Sequence, residues 1–202
     1  MGVQRCERDK KKVSVTPIGA QCLQKAREIK IQMDDLNQLG QALKSPLGYP
    51  ISLGIIPTIG PYLLPKVLPG VHQQYPDFQL RIVEEQSHVL VDMVRNGELD
   101  TAILALPYNI EGLLAFEFWQ EDFYCITHRD DPLGQKKDIT SAELKQSHLM
   151  LLKEGHCLKE HALAACKLPS SEIDTTLAST SLNTLVQMVA GRMGTALVPA
   201  MA

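Results

Sequence analysis

From residue 51 to the last residues, short apolar runs alternate with amphipathic helical patterns, separated by glycine, proline or asparagine breaks. Residues 51–56 read as a strand. Residues 62–75 read as a helix that Pro65 and Pro69 restrict to short pieces. A strand at 78–83, a helix at 88–96 closed by Gly97 and a buried strand at 101–106 follow. This βαβαβ order implies a parallel sheet with right-handed crossovers. A second series begins with strands at 116–119 and 123–127. It continues with a helix at 141–146 behind the capping box Thr140/Glu143, and a strand at 148–152. A helix at 158–167 sits between Gly155 and Pro169, and a strand at 175–178 follows. The series ends with a helix at 182–190 stopped by Gly191 and a strand at 195–198. The expected fold is α/β, with two units joined around residues 107–120 and a ligand cleft outside the carboxyl ends of the strands.

Before this series lies a different pattern. Thr16-Pro17 is an N-cap followed by proline at the first helical position. Apolar or small residues then recur at Cys22, Ala26, Ile29, Met33, Leu36, Gly40 and Leu43, in alternating steps of four and three. That is a heptad seam, which predicts a long helix paired with another helix; packing on its own domain is the alternative. Ser45-Pro46-Leu47-Gly48 breaks the helix and reads as a hinge.

Charge separates these regions. The formal net charge of −3 averages a first segment, residues 1–30, at +5 against −8 over the rest. A basic end on an acidic body suggests a segment near nucleic acid; a solvated basic tail is the plainer reading. No apolar run is long enough to span a bilayer, and the basic N-terminus leads into no secretory core. The expected location is therefore cytoplasmic and reducing, where five cysteines are free thiols, metal ligands or redox groups. Phosphate-loop, dinucleotide-binding, zinc-protease, C-x-x-C and nucleophile-elbow motifs are absent, which leaves little support for an enzyme.

The densest reactive cluster runs from Lys153 to Cys166, with His156, Cys157, Lys159 and His161 between them. Cys157 stands at a helix entrance among cations, an environment that favours thiolate, the form that attacks peroxide. Cys157 and Cys166 are nine residues apart, so a helix would hold them on opposite faces about 13.5 Å apart along its axis. A disulfide needs Cα atoms within about 7 Å, so that bond would require the helix to melt. Closing a loop of about ten residues is worth about 2.7 kcal/mol, enough to bias a two-state element. Two other readings stand beside this one. The cysteines could be small buried hydrophobes, or His156, Cys157, His161 and Cys166 could supply metal ligands, although their spacing matches no standard zinc pattern. No metal or other cofactor is expected. Cys6, Cys22 and Cys125 read as structural, and His161 as a surface residue.

Residues 54–65 (GIIPTIGPYLLP), 84–88 (EEQSH), 97–104 (GELDTAIL) and 155–158 (GHCL) resemble the peroxide-sensing OxyR-type branch of the LysR-type transcription regulators. Residues 191–199 (GRMGTALVP) resemble LysR-type effector domains in general, and residues 8–19 resemble the passage from a winged helix-turn-helix domain into a linker helix. The resemblance implies two subdomains of periplasmic-binding-protein-like type preceded by a long linker helix. Its segments are the end of the winged domain (1–16), a dimerisation helix (17–45), and subdomains at 50–107 and 120–202. It also implies that the chain lacks the helix-turn-helix itself and the family's C-terminal end. Cys157 would be the peroxidatic thiol and Cys166 its disulfide partner. Thr58, Ser87, His156 and Lys159 would help hold peroxide. Ser87 replaces a frequent threonine but keeps the hydroxyl. Lys159 replaces a frequent arginine, keeping the charge but not the planar fork. Cys6 stands where the family usually has an aromatic residue.

The expected function is a non-enzymatic, redox-sensing transcription regulator switched by hydrogen peroxide through a Cys157–Cys166 disulfide. Its expected partners are a second copy in a homodimer or homotetramer, DNA through the missing domain only, and RNA polymerase, with no membrane. A LysR-type or solute-binding-like domain that senses a small metabolite is the alternative. A thiol peroxidase is the third reading.

Overall fold

A computed structural model describes residues 4–9, 12–42, 47–153, 155, 157–168, 178–179 and 181–202. A short antiparallel hairpin, β1 (Cys6–Asp9) and β2 (Lys12–Val15), leads into α1 (Pro17–Ala42). The Gly19 N–H donates to the Thr16 hydroxyl at 3.1 Å, so the threonine caps α1. Ile29, Met33 and Leu36 of the heptad seam are exposed, which leaves the seam uncovered in a single chain. A neighbouring face of α1 docks on the first α/β unit. Arg27 donates to the Asn96 side chain at 3.3 Å, and Ile31 packs against Gly97. Of the expected hinge, Ser45 and Pro46 lie outside the described residues, as does Leu43 of the seam.

The first unit is a three-stranded parallel sheet in the order β4-β3-β5, formed by β3 (Ile51–Ile55), β4 (Leu80–Glu84) and β5 (Thr101–Ile103). Its crossovers are α2 (Gly60–Gln74) and α3 (Ser87–Arg95). Helix α2 is continuous, where the sequence predicted short pieces. Pro61, Pro65 and Pro69 fall at every fourth residue and are all exposed. The carbonyls that lose their N–H partners lie on that same exposed face, where water can take the place of the missing donors.

The second unit is a four-stranded sheet in the order β6-β9-β7-β8, with β6 antiparallel to β9 and the other pairs parallel. It contains β6 (Phe123–Ile126), β7 (Leu149–Leu152), β8 (Ala178–Ser179) and β9 (Thr195–Pro199). Both β7 and β9 are buried along their whole length, as central strands covered on both faces must be. Helices α4 (Ser141–Gln146), α5 (Cys157–Ala165) and α6 (Leu182–Ala190) cover the sheet. The capping box forms as expected: Glu143 N–H donates to the Thr140 hydroxyl, and Thr140 N–H donates to the Glu143 carboxylate.

Two expected strands differ. Residues 116–119 form no strand; Phe116, Phe118 and Trp119 are exposed. Their aromatic side chains have strand propensity, but this connecting segment has no neighbouring strand to pair with. The strand after β4 ends at Ile103 rather than at 106. Of the strand expected at 175–178, residues 175–177 lie outside the described residues, as does Pro169.

Candidate functional site

The candidate residues gather where strands end. Thr58 lies just past the carboxyl end of β3 and Ser87 just past that of β4. Cys157 follows β7 as the first residue of α5. Thr58 and Ser87 are 3% and 1% exposed, which is deep for hydroxyl residues. Neither is a helix cap: the cap positions of α2 and α3 are held by Ile59 and Gln86.

Cys157 is 5% exposed and packs with Ile56, Leu90 and Leu99. Those three residues belong to the first unit, while α5 belongs to the second. The thiol therefore plugs one unit's core from the other unit's helix. Gly155 makes this approach possible. Its φ of +93° suits glycine, and a Cβ there would stand 2.6 Å from the Gln86 side-chain oxygen. The loop before Cys157 thus presses against the entrance of α3, where Ser87 sits. The Ser87 hydroxyl is buried and has no hydrogen-bond partner among the described residues. Leaving such a group unpaired costs about 1–3 kcal/mol, so it is a group suited to a small polar ligand.

Cys166 lies just beyond α5 in a separate environment. It is half-buried against Leu149, Leu151, Leu163 and Leu197, a cluster that Cys125 also touches. Burial pushes the Cys166 thiol up. Burial, then the charges of Cys166 and Asp131, push Cys125 up to about 11. All five cysteines are free thiols. Cys157 and Cys166 thus occupy the two ends of one helical segment and two different hydrophobic clusters. The Ser141 hydroxyl donates to the Cys166 carbonyl at 2.6 Å, which anchors the far end of that segment. Lys159 is half-buried on α5, and His156 lies outside the described residues.

Sequence reasoning passed over two neighbours. Tyr108 packs on the Cys157 cluster; burial first, then nearby Cys157, Glu160 and Asp92, raise its phenol pKa. His161, expected as a surface residue, is half-buried, and its Nε2 lies 2.9 Å from the Pro107 carbonyl. Neither contact leaves a local sequence signal, because each joins residues about 50 positions apart. A cavity of about 720 Å³ lies between the units, and Thr58, Leu104, Tyr108, Phe118, Leu158 and His161 help line it. A polar cavity of about 580 Å³ lies within the second unit, lined by residues such as His128, Asp130 and Arg192 rather than by the candidate residues. Among the described residues, no group of three or more His, Cys, Asp or Glu side chains could hold a metal ion. No described helix is long and apolar enough to cross a membrane.

Two α/β units of periplasmic-binding-protein-like type, with buried polar groups at the carboxyl ends of the first unit's strands, define the class of fold that holds small ligands between its units. The chain belongs to the LysR substrate binding domain family, whose model matches residues 44–202. It is 39% identical over 196 residues to the HTH-type transcriptional regulator EstR of Acinetobacter baylyi, covering 97% of this chain and 65% of that protein. It is 36% identical over 200 residues to a probable hydrogen peroxide-inducible genes activator of Streptomyces viridosporus, covering 98% of this chain and 64% of that one. A full-length OxyR variant from Pseudomonas aeruginosa matches it with a TM-score of 0.81 at 37% identity, over 100% of this chain and 67% of the other. The likeness to OxyR-type regulators read from the motifs therefore extends over the whole chain. The chain spans somewhat less than two thirds of the length of the two curated relatives. Those relatives are transcription regulators by name, not enzymes.

Proposed function

We propose that this chain is the sensing part of a transcription regulator switched by hydrogen peroxide. The observation that carries the reading is the placement of Cys157. It heads a helix, is buried in the first unit's core behind a loop that presses on the entrance of α3, where the Ser87 hydroxyl is unpartnered among the described residues, and is kept apart from Cys166 by the whole of α5.

The chemistry balances with peroxide as the sole oxidant. The Cys157 thiolate sulfur attacks one peroxide oxygen, the O–O bond breaks, and the departing hydroxide takes a proton to become water. The product is a sulfenic acid. The Cys166 thiolate then attacks that sulfur, the S–O bond breaks, and a second water leaves as the disulfide forms. Thr58, Ser87, His156 and Lys159 are assigned to holding peroxide and the departing oxygen. Burial disfavours thiolate at Cys166, so this residue becomes a good attacker only after its segment moves.

Unwinding α5 exposes Leu158 and Leu163, at about 1.5–3 kcal/mol each, and closing the loop costs the unwound segment about 2.7 kcal/mol of chain entropy; disulfide formation at the expense of peroxide has to offset both. The exposed Ile29, Met33 and Leu36 seam of α1 serves pairing with a second copy in a homodimer or homotetramer. DNA contact belongs to a helix-turn-helix domain, followed by contact with RNA polymerase, in a reducing cytoplasmic compartment.

Peptide mapping of the reduced chain after stoichiometric hydrogen peroxide tests this reading. The expected product is a Cys157–Cys166 link that is absent in Cys157→Ser and Cys166→Ser. Thiols left unmodified would sink it. The cavity of about 720 Å³ favours one second reading, a small-metabolite sensor. That reading requires ligand-dependent thermal stabilisation that survives Cys157→Ser.

A further inference from the structure

Unwinding α5 requires more than drawing Cys157 and two leucines out of their clusters. The helix is also tied to the segment that joins the two units. The contact at 2.9 Å between His161 Nε2 and the Pro107 carbonyl has only one possible direction, because a carbonyl oxygen accepts and cannot donate. His161 Nε2–H therefore donates, and Nε2 carries a proton. Residues 104–108 run alongside α5 on both sides of this bond. Leu104, Ala105 and Tyr108 pack on the Cys157 cluster, while Pro107, Leu158, His161 and Ala164 line one cavity. His161 lies in the middle of the segment whose ends are Cys157 and Cys166.

We infer that His161 is a positioning residue for the switch: its hydrogen bond to Pro107 latches α5 in the reduced, helical state and so sets how readily Cys166 reaches an oxidised Cys157. This rests on the disulfide reading proposed above. The latch acts on the second step only. Peroxide attack happens at Cys157 while the helix stands and the latch bond is intact. Closure requires the helix to unwind, and the bond breaks before it can.

The experiment measures the two steps separately in the full chain. Dimedone trapping in a Cys166→Ser background gives the rate of sulfenic acid formation at Cys157. Quenched alkylation with mass spectrometry, in chains that keep both cysteines, gives the rate of closure. His161→Ala is expected to speed closure about threefold to tenfold, the size of one lost net hydrogen bond, while sulfenic acid formation stays unchanged. Equilibration against a glutathione buffer is expected to shift toward the disulfide by a similar factor. His161→Gln, whose side-chain amide also donates, is expected to return closure most of the way to the native rate. The latch is overturned if His161→Ala closes at the native rate, if both steps change together, or if His161→Gln behaves like His161→Ala. A native chain that forms no Cys157–Cys166 bond overturns the switch reading itself, and the latch with it. That result is distinct from a bond that forms at equal rates in the native and variant chains. Amide hydrogen exchange across residues 157–165 gives a second check: faster exchange in reduced His161→Ala supports the latch, and unchanged exchange overturns it.

Discussion

The Ser87 hydroxyl, buried and unpartnered among the described residues, costs the reduced fold stability. A purely structural serine at that position would be better replaced by alanine. Ser87→Ala is therefore expected to leave thermal stability unchanged or raise it, while slowing peroxide oxidation of Cys157 about tenfold, the kinetic weight of one lost hydrogen bond to the reacting group. Thermal unfolding together with competition kinetics for peroxide checks both halves. A stability loss with an unchanged rate would make Ser87 structural. Cys125 presents the opposite case. Its thiol, pushed up to about 11, is a poor nucleophile, so it should stay reduced while Cys157 reacts.

At the scale of elements, the short helices depend on their ends. Helix α4 is held by its capping box, and Glu143 also pairs with Lys136. The Lys136 ammonium first, then the Thr140 N–H and hydroxyl, hold the Glu143 carboxyl down to about 2 from the ordinary 4.5. A depressed carboxyl contributes stability that is fully present above its unfolded value and lost as pH falls through its folded one. The native chain should therefore lose stability between about pH 4.5 and pH 2 through this group. Glu143→Gln should be less stable at neutral pH and flatter across that window, as acid titration followed by circular dichroism would show. The Thr140/Glu143 box was legible in the sequence because all its partners lie within four residues. The continuity of α2 was not, because it depends on which way Pro65 and Pro69 face.

Across the whole molecule, α1 touches the first unit at the turn between α3 and β5. Arg27 reaches Asn96 and Glu98, and Ile31 lies on Gly97. Leu90 and Leu99, on either side of that turn, also pack on Cys157. One short stretch of chain thus contacts both α1 and Cys157. Gly97 has a φ of +68°, and a Cβ there would collide with Ile31. Gly97→Ala should cost about 1–2 kcal/mol from the left-handed backbone, plus the displacement of Ile31. It should also loosen α1 from the body. Urea unfolding measures the first effect, and amide exchange within α1 measures the second. Native-like values in both would show that the turn accommodates a side chain.

Although it did not show the β1/β2 hairpin or the irregular course of residues 116–119, the sequence by itself determined most of the order of strands and helices within the two units, the break between a long seam helix and two α/β units, and the cysteine pair with its spacing. These are matters of periodicity, capping and separation along the chain, and all act within one or two helical turns. Tertiary structure decided the rest. It buried Cys157 in the first unit's core, left Ser87 without a partner, put Cys166 in another cluster and joined His161 to Pro107. Each of those facts depends on which loops meet at the carboxyl ends of strands. That meeting is set by sheet order and helix packing, which no local pattern encodes.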